Sequence, residues 1–500
     1  MKKIRVATSD ELAQHVKDGD VVLLTGSGGG LQEPDEVPAA LERRFLATGH
    51  PCGLTLIHAL GIGDGKNSGI SRFAHPGMVK RVIGGHWTWS KSMQQLANQE
   101  QIEAYTFPAG VIQTLVRECG AGRHGLVTHI GLDTFADPRH GGGRCNSSAK
   151  ESLVEVVELG GKELLWYKPI KVDVALIRGT IGDPNSNLTA REEPSDMDAY
   201  AGALCAHNSG GIVLAQVREL SNIPITPARD VLVPGVLVDY VCVNPEQKQT
   251  TGNAYDLTMS GSIAKPQDLE TYELPTGARY FIAERASKEL TENACVNFGF
   301  GLPDGIPAIC MQKNIPIAWS TIEQGAHNGV LLGGSLFGAT RYPSAIVTSN
   351  DQFDFFSGGG IDIAFLGMGE LDQYGNVNVS WLGENIVGPG GFVDITQRAK
   401  KVVFCGTFEA KGLELEINGS KVKIKNYGAV PKIVEKVKHI TFSGRRAQKD
   451  GQQVIYITER AVFKLGVDGI ELIEIYDGID PIKDVLERIP FKIKNSITTI

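Results

Sequence analysis

The sequence predicts an α/β protein made of two related halves, each a mostly parallel sheet flanked by helices. Three observations lead there. Short runs rich in Val and Ile (VVLL, GLTLIHAL, VDVALI, GGIVLAQV, IPIAWS, SAIVTS, IDIAFLG, KKVVFCG) alternate with helix-like stretches such as DEVPAALERRFLATG and SKSMQQLANQ, the pattern of strands buried on both faces. The two halves open alike, with a helix-like segment, an apolar strand and a glycine loop: DVVLLTGSGGG from residue 20, and ERASKELTENACVNFGFGLPDG from residue 284. Most tellingly, DVALIRGTIGDPNSNLT from Asp173 is echoed by DIAFLGMGELDQYGNVNVS from Asp362. A second aspartate falls ten residues on in each (Asp183, Asp372) and an asparagine fourteen on (Asn187, Asn376). One unit used twice, an Asp-led strand, a loop and a turn, accounts for that spacing.

Residues 1–243 form the first half on this reading, and its extra length between the echoes includes the connection HGGGRCNSSAKES. Residues 244–276 are polar with little periodicity and read as a linker. Residues 277–500 form the second half. There LELEINGSKVKIK predicts a hairpin turning at Asn418 and Gly419, pairing Glu416 with Lys421 and Glu414 with Lys423 on one face, and Leu415 with Val422 and Leu413 with Ile424 on the other.

Composition narrows the function. At 500 residues, with 42% hydrophobic and 21% charged residues, the chain is long enough for two cores and shows no tract expected to be disordered. A net charge of −8 speaks against a nucleic acid or anionic membrane as partner. No apolar run approaches the roughly 20 residues that cross a bilayer, and the basic start lacks a signal-like apolar stretch, so a cytoplasmic location is expected. Eight scattered cysteines without CxxC or a Cys/His ligand spacing are read as reduced thiols, with no metal expected.

Candidate chemistry lies in the loops. TGSGGG (25–30), containing Gly28, and FGFGLPDG (298–305), containing Gly299 and Gly301, follow strands and suit either phosphate cradles or tight turns. FFSGGGIDIAF (355–365) and NIVGPGGFVDIT (385–396), with Gly388, Gly390 and Gly391, are further such loops; neither of the first two is a clean dinucleotide fingerprint. Gln113 follows a Pro-Ala-Gly turn, where its amide can either donate into a cleft or face solvent. His124, His129 and His140 have no ligand-like spacing. Glu323, in WSTIEQGAHNG, stands at the carboxyl end of an apolar strand, where open α/β sheets place ligands, although a solvated loop carboxylate would read the same.

TIEQGAHNG, PAGVIQTLVREC with GLDTFADPR, NFGFGLPDGIPAI and GPGGFVDITQRAKKVVF together resemble the class I coenzyme A-transferases, in particular the single-chain propionate or acetate branch with fused halves. The resemblance spans nearly the whole chain. It implies an active site between the halves and ping-pong transfer of coenzyme A from a short-chain acyl-CoA, such as acetyl- or propionyl-CoA, to a carboxylic acid such as acetate. Glu323 would be the nucleophile that forms a glutamyl-CoA thioester. Gln113 and a backbone N–H at or near Gly390 would be the oxyanion donors. Coenzyme A would be a substrate, contacted by the glycine loops at Gly28, Gly299, Gly301, Gly388 and Gly391, with no permanently bound cofactor. A homo-oligomer, dimer or tetramer, is also implied.

His327 and Asn328 depart from the small residues usual after the nucleophile, and as polar neighbours of Glu323 they predict a preference for acyl groups of two to four carbons. An acyl-CoA hydrolase using the same glutamate is the alternative. A non-catalytic sensor of phosphorylated ligands would have no use for Glu323 and Gln113 together.

Overall fold

The computed structural model describes residues 3–267, 272–418 and 421–497. The first half is organised on seven strands, β1 (Val21–Leu24), β2 (Leu54–His58), β3 (Val79–Gly84), β4 (Glu103–Thr106), β5 (Val174–Arg178), β6 (Ile212–Val217) and β7 (Tyr240–Val243). They lie in the order β7-β6-β5-β1-β2-β3-β4, and every pair is parallel. The second half repeats the central arrangement with β8 (Cys295–Phe298), β9 (Trp319–Thr321), β10 (Ile363–Gly367), β11 (Lys401–Cys405) and β12 (Gln453–Ile457), in the parallel order β12-β11-β10-β8-β9. Antiparallel strands extend this second sheet beyond both β12 and β9.

The echo in sequence is an echo in hydrogen bonding. Asp173 Oδ2 accepts the N–H of Val21 at 3.0 Å, and Asp362 Oδ2 accepts that of Cys295 at 2.8 Å, so each aspartate ties its own strand to the strand that opens the half. Asp183 closes its turn by accepting the backbone N–H of Asn185 and Asn187 and the Asn187 side chain. Asp372 does the same with Tyr374, Asn376 and the Asn376 side chain. The spacing of ten and fourteen residues is thus the reach of one carboxylate across a four-residue turn.

Helices cover the sheets, among them α1 (Ser9–Ala13), α2 (Glu36–Thr48), α3 (Lys91–Asn98), α4 (Ala109–Gly120), α5 (Ala199–Asn208), α6 (Ala278–Ser287), α7 (Ile306–Gln312), α8 (Ser349–Ser357) and α9 (Phe392–Arg398). The described part of 244–276 contains no helix or strand but is well packed. Thr251 N–H donates to Gly29 O at 2.7 Å, Tyr342 N–H to Thr258 O at 2.6 Å, and Met259 is buried with Leu31 and Ala339. This segment therefore fastens one half to the other rather than merely joining them.

The hairpin near the C terminus forms in another register. Lys421 pairs with Asn418, Val422 with Ile417, Lys423 with Glu416 and Ile424 with Leu415, with an irregularity before Glu414 meets Asn426. Gly419 lies outside the described residues. Both registers keep charged residues on one face and apolar ones on the other, so alternation alone could not choose between them.

The halves meet where strands end. Gly390 N–H donates to Gly85 O, Ala109 N–H to Gly390 O and Trp87 N–H to Val387 O, each at 2.8 Å. Arg117 on α4 forms a two-bond ion pair with Asp354 on α8, at 2.7 and 3.1 Å. Gly85 has no room for a side chain, since a Cβ would lie 1.8 Å from Ala59 O. Gly85→Ala is expected to displace the end of β3, lowering stability by about 1–3 kcal/mol and loosening the carbonyl that holds Gly390. Chemical denaturation alongside a transfer assay checks this, and loss of stability with full activity would contradict it.

Candidate active site

Glu323 follows β9 by two residues and is half-buried at the junction of the halves. Its Oε2 accepts the Gly391 N–H at 2.9 Å, and its Oε1 accepts from the Gln324 side chain at 3.2 Å. Gly391 caps α9, so the carboxylate sits at a helix N-terminus, where unpaired N–H groups favour negative charge. A Cβ on Gly391 would come within 2.1 Å of Glu323 Oε2, so only glycine permits this approach. Removal from water nevertheless dominates and pushes the Glu323 pKa from its ordinary 4.5 to about 7, with the Gly391 and Gln324 bonds pulling the other way.

A second carboxyl lies close by. Asp394, on the first turn of α9, is fully buried. One of its oxygens accepts Gly110 N–H at 3.1 Å and the other has no partner. Burial raises its pKa to about 8, and the Glu323 charge adds to the rise.

Two cavities meet at Glu323. One of about 200 Å³ is walled by the ends of β8 and β10 and by the Pro389–Gly391 turn, and includes Asn297, Gly299 and Gly367. The other, about 520 Å³, is walled from both halves, by Gly28, Gly61, His86 and Trp89 at strand ends of the first and by residues such as Phe300, Phe337 and Val387 of the second. Gln324, Phe300, Phe337, His86 and Gly390 border both.

Against this geometry the predicted residues separate. Glu323 and Gly391 are in contact. Gly390 borders both cavities, but its N–H is engaged with Gly85 O, so the donor that reaches the glutamate is one residue later. Gly28 lines the large cavity and Gly299 the small one, whereas Gly301 and Gly388 line neither. Gly388, at φ +78°, instead packs so tightly that a Cβ would lie 2.5 Å from Gly85 O. Gln113 is buried on α4 and lines neither cavity, and both its amide atoms lack a hydrogen-bond partner. Its amide does lower Asp198, whose carboxyl burial pushes up to about 6, but at a geometry short of a hydrogen bond.

His327 and Asn328 turn away from Glu323. His327 Nδ1 accepts from Trp319 Nε1 at 2.8 Å, and Asn328 bonds Ser320 N–H and Ser344 Oγ. Neither residue borders either cavity at Glu323, so they give no ground for a limit on acyl size. The glycines of residues 358–360 line neither cavity and turn the chain from α8 toward β10.

Sequence reasoning missed His86, Trp89, Phe300, Phe337 and Asp394. The run GGHWTW (84–89) at the end of β3, two tryptophans and a histidine where ligands gather, was the available signal.

The family model for coenzyme A transferase matches residues 6–244. Acetate CoA-transferase YdiF of Escherichia coli (strain K12) is 38% identical over 491 residues, covering 98% of this chain and 92% of that protein. Caffeate CoA-transferase of Acetobacterium woodii is 39% identical over 494 residues, covering 97% and 94%. The chain belongs to the class I coenzyme A-transferase family. This enzyme is a CoA-transferase acting on carboxylic acids. The crystal structure of the YdiF acyl-CoA transferase from E. coli O157:H7 as a thioester complex with CoA superposes with a TM-score of 0.93 at 36% identity, covering all of this chain and 95% of that one. The two-half α/β architecture of the CoA-transferase is therefore shared. Among the described residues all eight cysteines are free, and no helix is long and apolar enough to cross a membrane.

The raised pKa of Glu323 has two measurable consequences. A nucleophilic carboxylate must be ionised, so kcat/KM for the acyl-CoA donor should rise with pH to a plateau through an apparent pKa near 7. Because the folded-state pKa exceeds the unfolded one, the group favours folding below about 4.5, and that contribution is lost as pH rises through 7. Glu323→Gln should therefore melt like the wild type near pH 4 and higher than the wild type above pH 7. Melting curves from pH 4 to 9 read this directly, and a gap independent of pH would refute the assignment.

Proposed function

We propose that the enzyme moves coenzyme A between acids through a covalent intermediate on Glu323, with short-chain acyl-CoA such as acetyl- or propionyl-CoA as donors and acids such as acetate as acceptors. The observation that supports this is a glutamate held by a backbone N–H at the meeting point of two cavities, with no other carboxylate among the described residues bordering either one. In the first half-reaction a Glu323 oxygen attacks the thioester carbonyl, the C–S bond breaks and CoA leaves as thiolate, giving a mixed anhydride. The thiolate then attacks the glutamyl carbonyl, and the donor acid departs as its carboxylate. An incoming carboxylate reverses both steps: its oxygen displaces the thiolate, which next takes the new acyl group and frees Glu323. Covalent storage of this kind divides one difficult exchange into two easier ones.

Each step builds an oxyanion that needs a donor already in place. Gly391 N–H, bonded to the glutamate before reaction, is the first candidate, and it replaces Gly390 in that role. Gln113 is the second; a buried amide without partners loses no existing hydrogen bond by turning toward the site. The narrower cavity suits the pantetheine arm, since Asn297 Oδ1 is buried there without a partner and the arm carries amide N–H groups. Coenzyme A is a substrate on this reading, and the enzyme works in the cytoplasm as a homo-oligomer. The boundaries proposed for the halves are 1–243 and 277–500.

Glu323→Ala is expected to fold normally and lose transfer by several orders of magnitude. Incubation of the wild type with acyl-CoA followed by hydroxylamine should trap a modified Glu323, located by mass spectrometry. Transfer within tenfold of the wild type would remove Glu323 as nucleophile. Gln113→Ala should lower turnover by about 10²–10³ with little change in melting, whereas failure only through unfolding would make Gln113 structural. Thiol release without an acceptor acid separates the rival acyl-CoA hydrolase, which would sustain it.

A further inference from the structure

Exchange between carboxylic acids sets this site a problem of charge. An acid enters as an anion, yet neither cavity at Glu323 is lined by a lysine or arginine, and among the described residues Glu323 and His86 are the only ionisable ones that border either. Uncharged donors must therefore meet the oxygens of the acid. Of the polar side chains that border both cavities, Gln324 already donates to the Glu323 carboxylate, which leaves His86.

The backbone fixes His86 at that junction. Before it, Gly85 O accepts Gly390 N–H, and after it Trp87 N–H donates to Val387 O, both at 2.8 Å. The residue is thus bracketed by two hydrogen bonds that cross between the halves. Its ring presents two different edges. Nδ1 lies 3.3 Å from Thr88 Oγ1 and faces Gly61, where a Cβ would come within 2.9 Å of it. The Cδ2 edge lies toward Gly390, 3.8 Å from where a Cβ would stand, one residue before the N–H that Glu323 accepts. With the Thr88 hydroxyl donating to Nδ1, the single ring proton stays on Nε2, the nitrogen next to Cδ2. Burial keeps the ring neutral, with a pKa of about 4. Neutrality suits the exchange, because an imidazolium could protonate the CoA thiolate that must remain a nucleophile.

We infer that His86 is a further catalytic residue, whose Nε2–H receives one oxygen of the acid's carboxylate while the other oxygen attacks the glutamyl thioester. This rests on the reading of Glu323 as the nucleophile. The attacking oxygen bonds to the glutamyl carbon, the C–S bond breaks and CoA leaves as thiolate. The oxygen held by His86 is then the carbonyl oxygen of the new acyl group. It becomes the oxyanion when the thiolate attacks that acyl carbon, until the bond to the bridging oxygen breaks and Glu323 is freed as carboxylate. The imidazole keeps its proton throughout. Gly391 N–H and His86 thus serve different carbonyls, that of the glutamate and that of the substrate.

The test follows each half-reaction of the full-length enzyme by rapid quenching and intact-mass measurement of the CoA adduct, loaded by propionyl-CoA and unloaded by propionate. His86→Leu removes the donor, and His86→Gln returns an amide N–H near the place of Nε2. In His86→Leu the half-saturating propionate concentration should rise about tenfold or more, while that of propionyl-CoA, which brings no anion at its acyl end, should rise by less than about threefold. Both directions cross the same transition states, so in loading the loss should appear in the maximal rate. His86→Gln should recover most of the propionate affinity. Melting curves check that the variants fold, and should His86→Leu unfold, His86→Ala makes the same comparison. A smaller rise for propionate, a larger one for propionyl-CoA, or His86→Gln no better than His86→Leu would each overturn the inference while leaving the nucleophile in place. A wild type that turns over without any adduct would overturn both.

Discussion

The site depends on a three-residue stretch, Pro389 to Gly391, being held from both sides. Gly390 donates to Gly85 and accepts from Ala109, so its peptide units are shared between the halves. The next N–H is then left pointing at Glu323. A backbone donor costs little side-chain entropy to position, and here its position is fixed by strands and helices of two sheets rather than by a loop. Asp394 reinforces the same joint, because it starts on the helix that Gly391 caps and accepts the N–H of Gly110 on α4. Loosening any of these bonds would move the donor relative to the carboxylate, which is why the glycines here are defined by contact rather than by turn geometry alone.

Duplication explains why Glu323 has no counterpart at the matching strand end of the first half and why two dissimilar cavities meet at it. The paired registers put Thr55 opposite Val21 and Trp319 opposite Cys295, and four residues later the chain reaches Ala59 in one half and Glu323 in the other. The equivalent strand ends face a common space from opposite sides. One set carries Glu323 and adds Phe300, Phe337 and Val387 to the larger cavity; the other adds Gly28, Gly61, His86 and Trp89 to the same wall. A repeated scaffold thus carries different side chains at equivalent strand ends, with the structural aspartates of the turns retained in both.

Much of this was legible in the sequence. The α/β class, the parallel strands and the repeated aspartate turn follow from local patterns that the folded chain satisfies directly. Glu323 was legible from its strand-end setting and motif, and Gly391 only as one of several glycines. The choice between Gly390 and Gly391 depends on where Gly85 lies, a contact across about 300 residues of chain that no local pattern encodes. The same holds for His327 and Asn328. Next to Glu323 in sequence, they belong to a strand end and a turn whose hydrogen bonds draw them to Trp319, Ser320 and Ser344. The hairpin register failed for a different reason, as two registers conserve the same alternation.

Electrostatics ties the joint to the chemistry. Glu323 and Asp394 are both lifted toward neutrality by burial, and the charge on the first raises the second further. Two such carboxyls do not readily ionise together, so a proton retained on Asp394 lets Glu323 carry the charge an attack requires. On the proposed mechanism, acylation of Glu323 removes its charge and with it that contribution to the rise at Asp394. The Gly391 N–H, which had faced a full carboxylate, would on the same mechanism be released to the oxyanion forming at the glutamyl carbon. A donor that serves the resting nucleophile and then its tetrahedral intermediate holds back some ground-state reactivity. It needs no rearrangement between the steps, however, and a ping-pong exchange passes through that intermediate repeatedly.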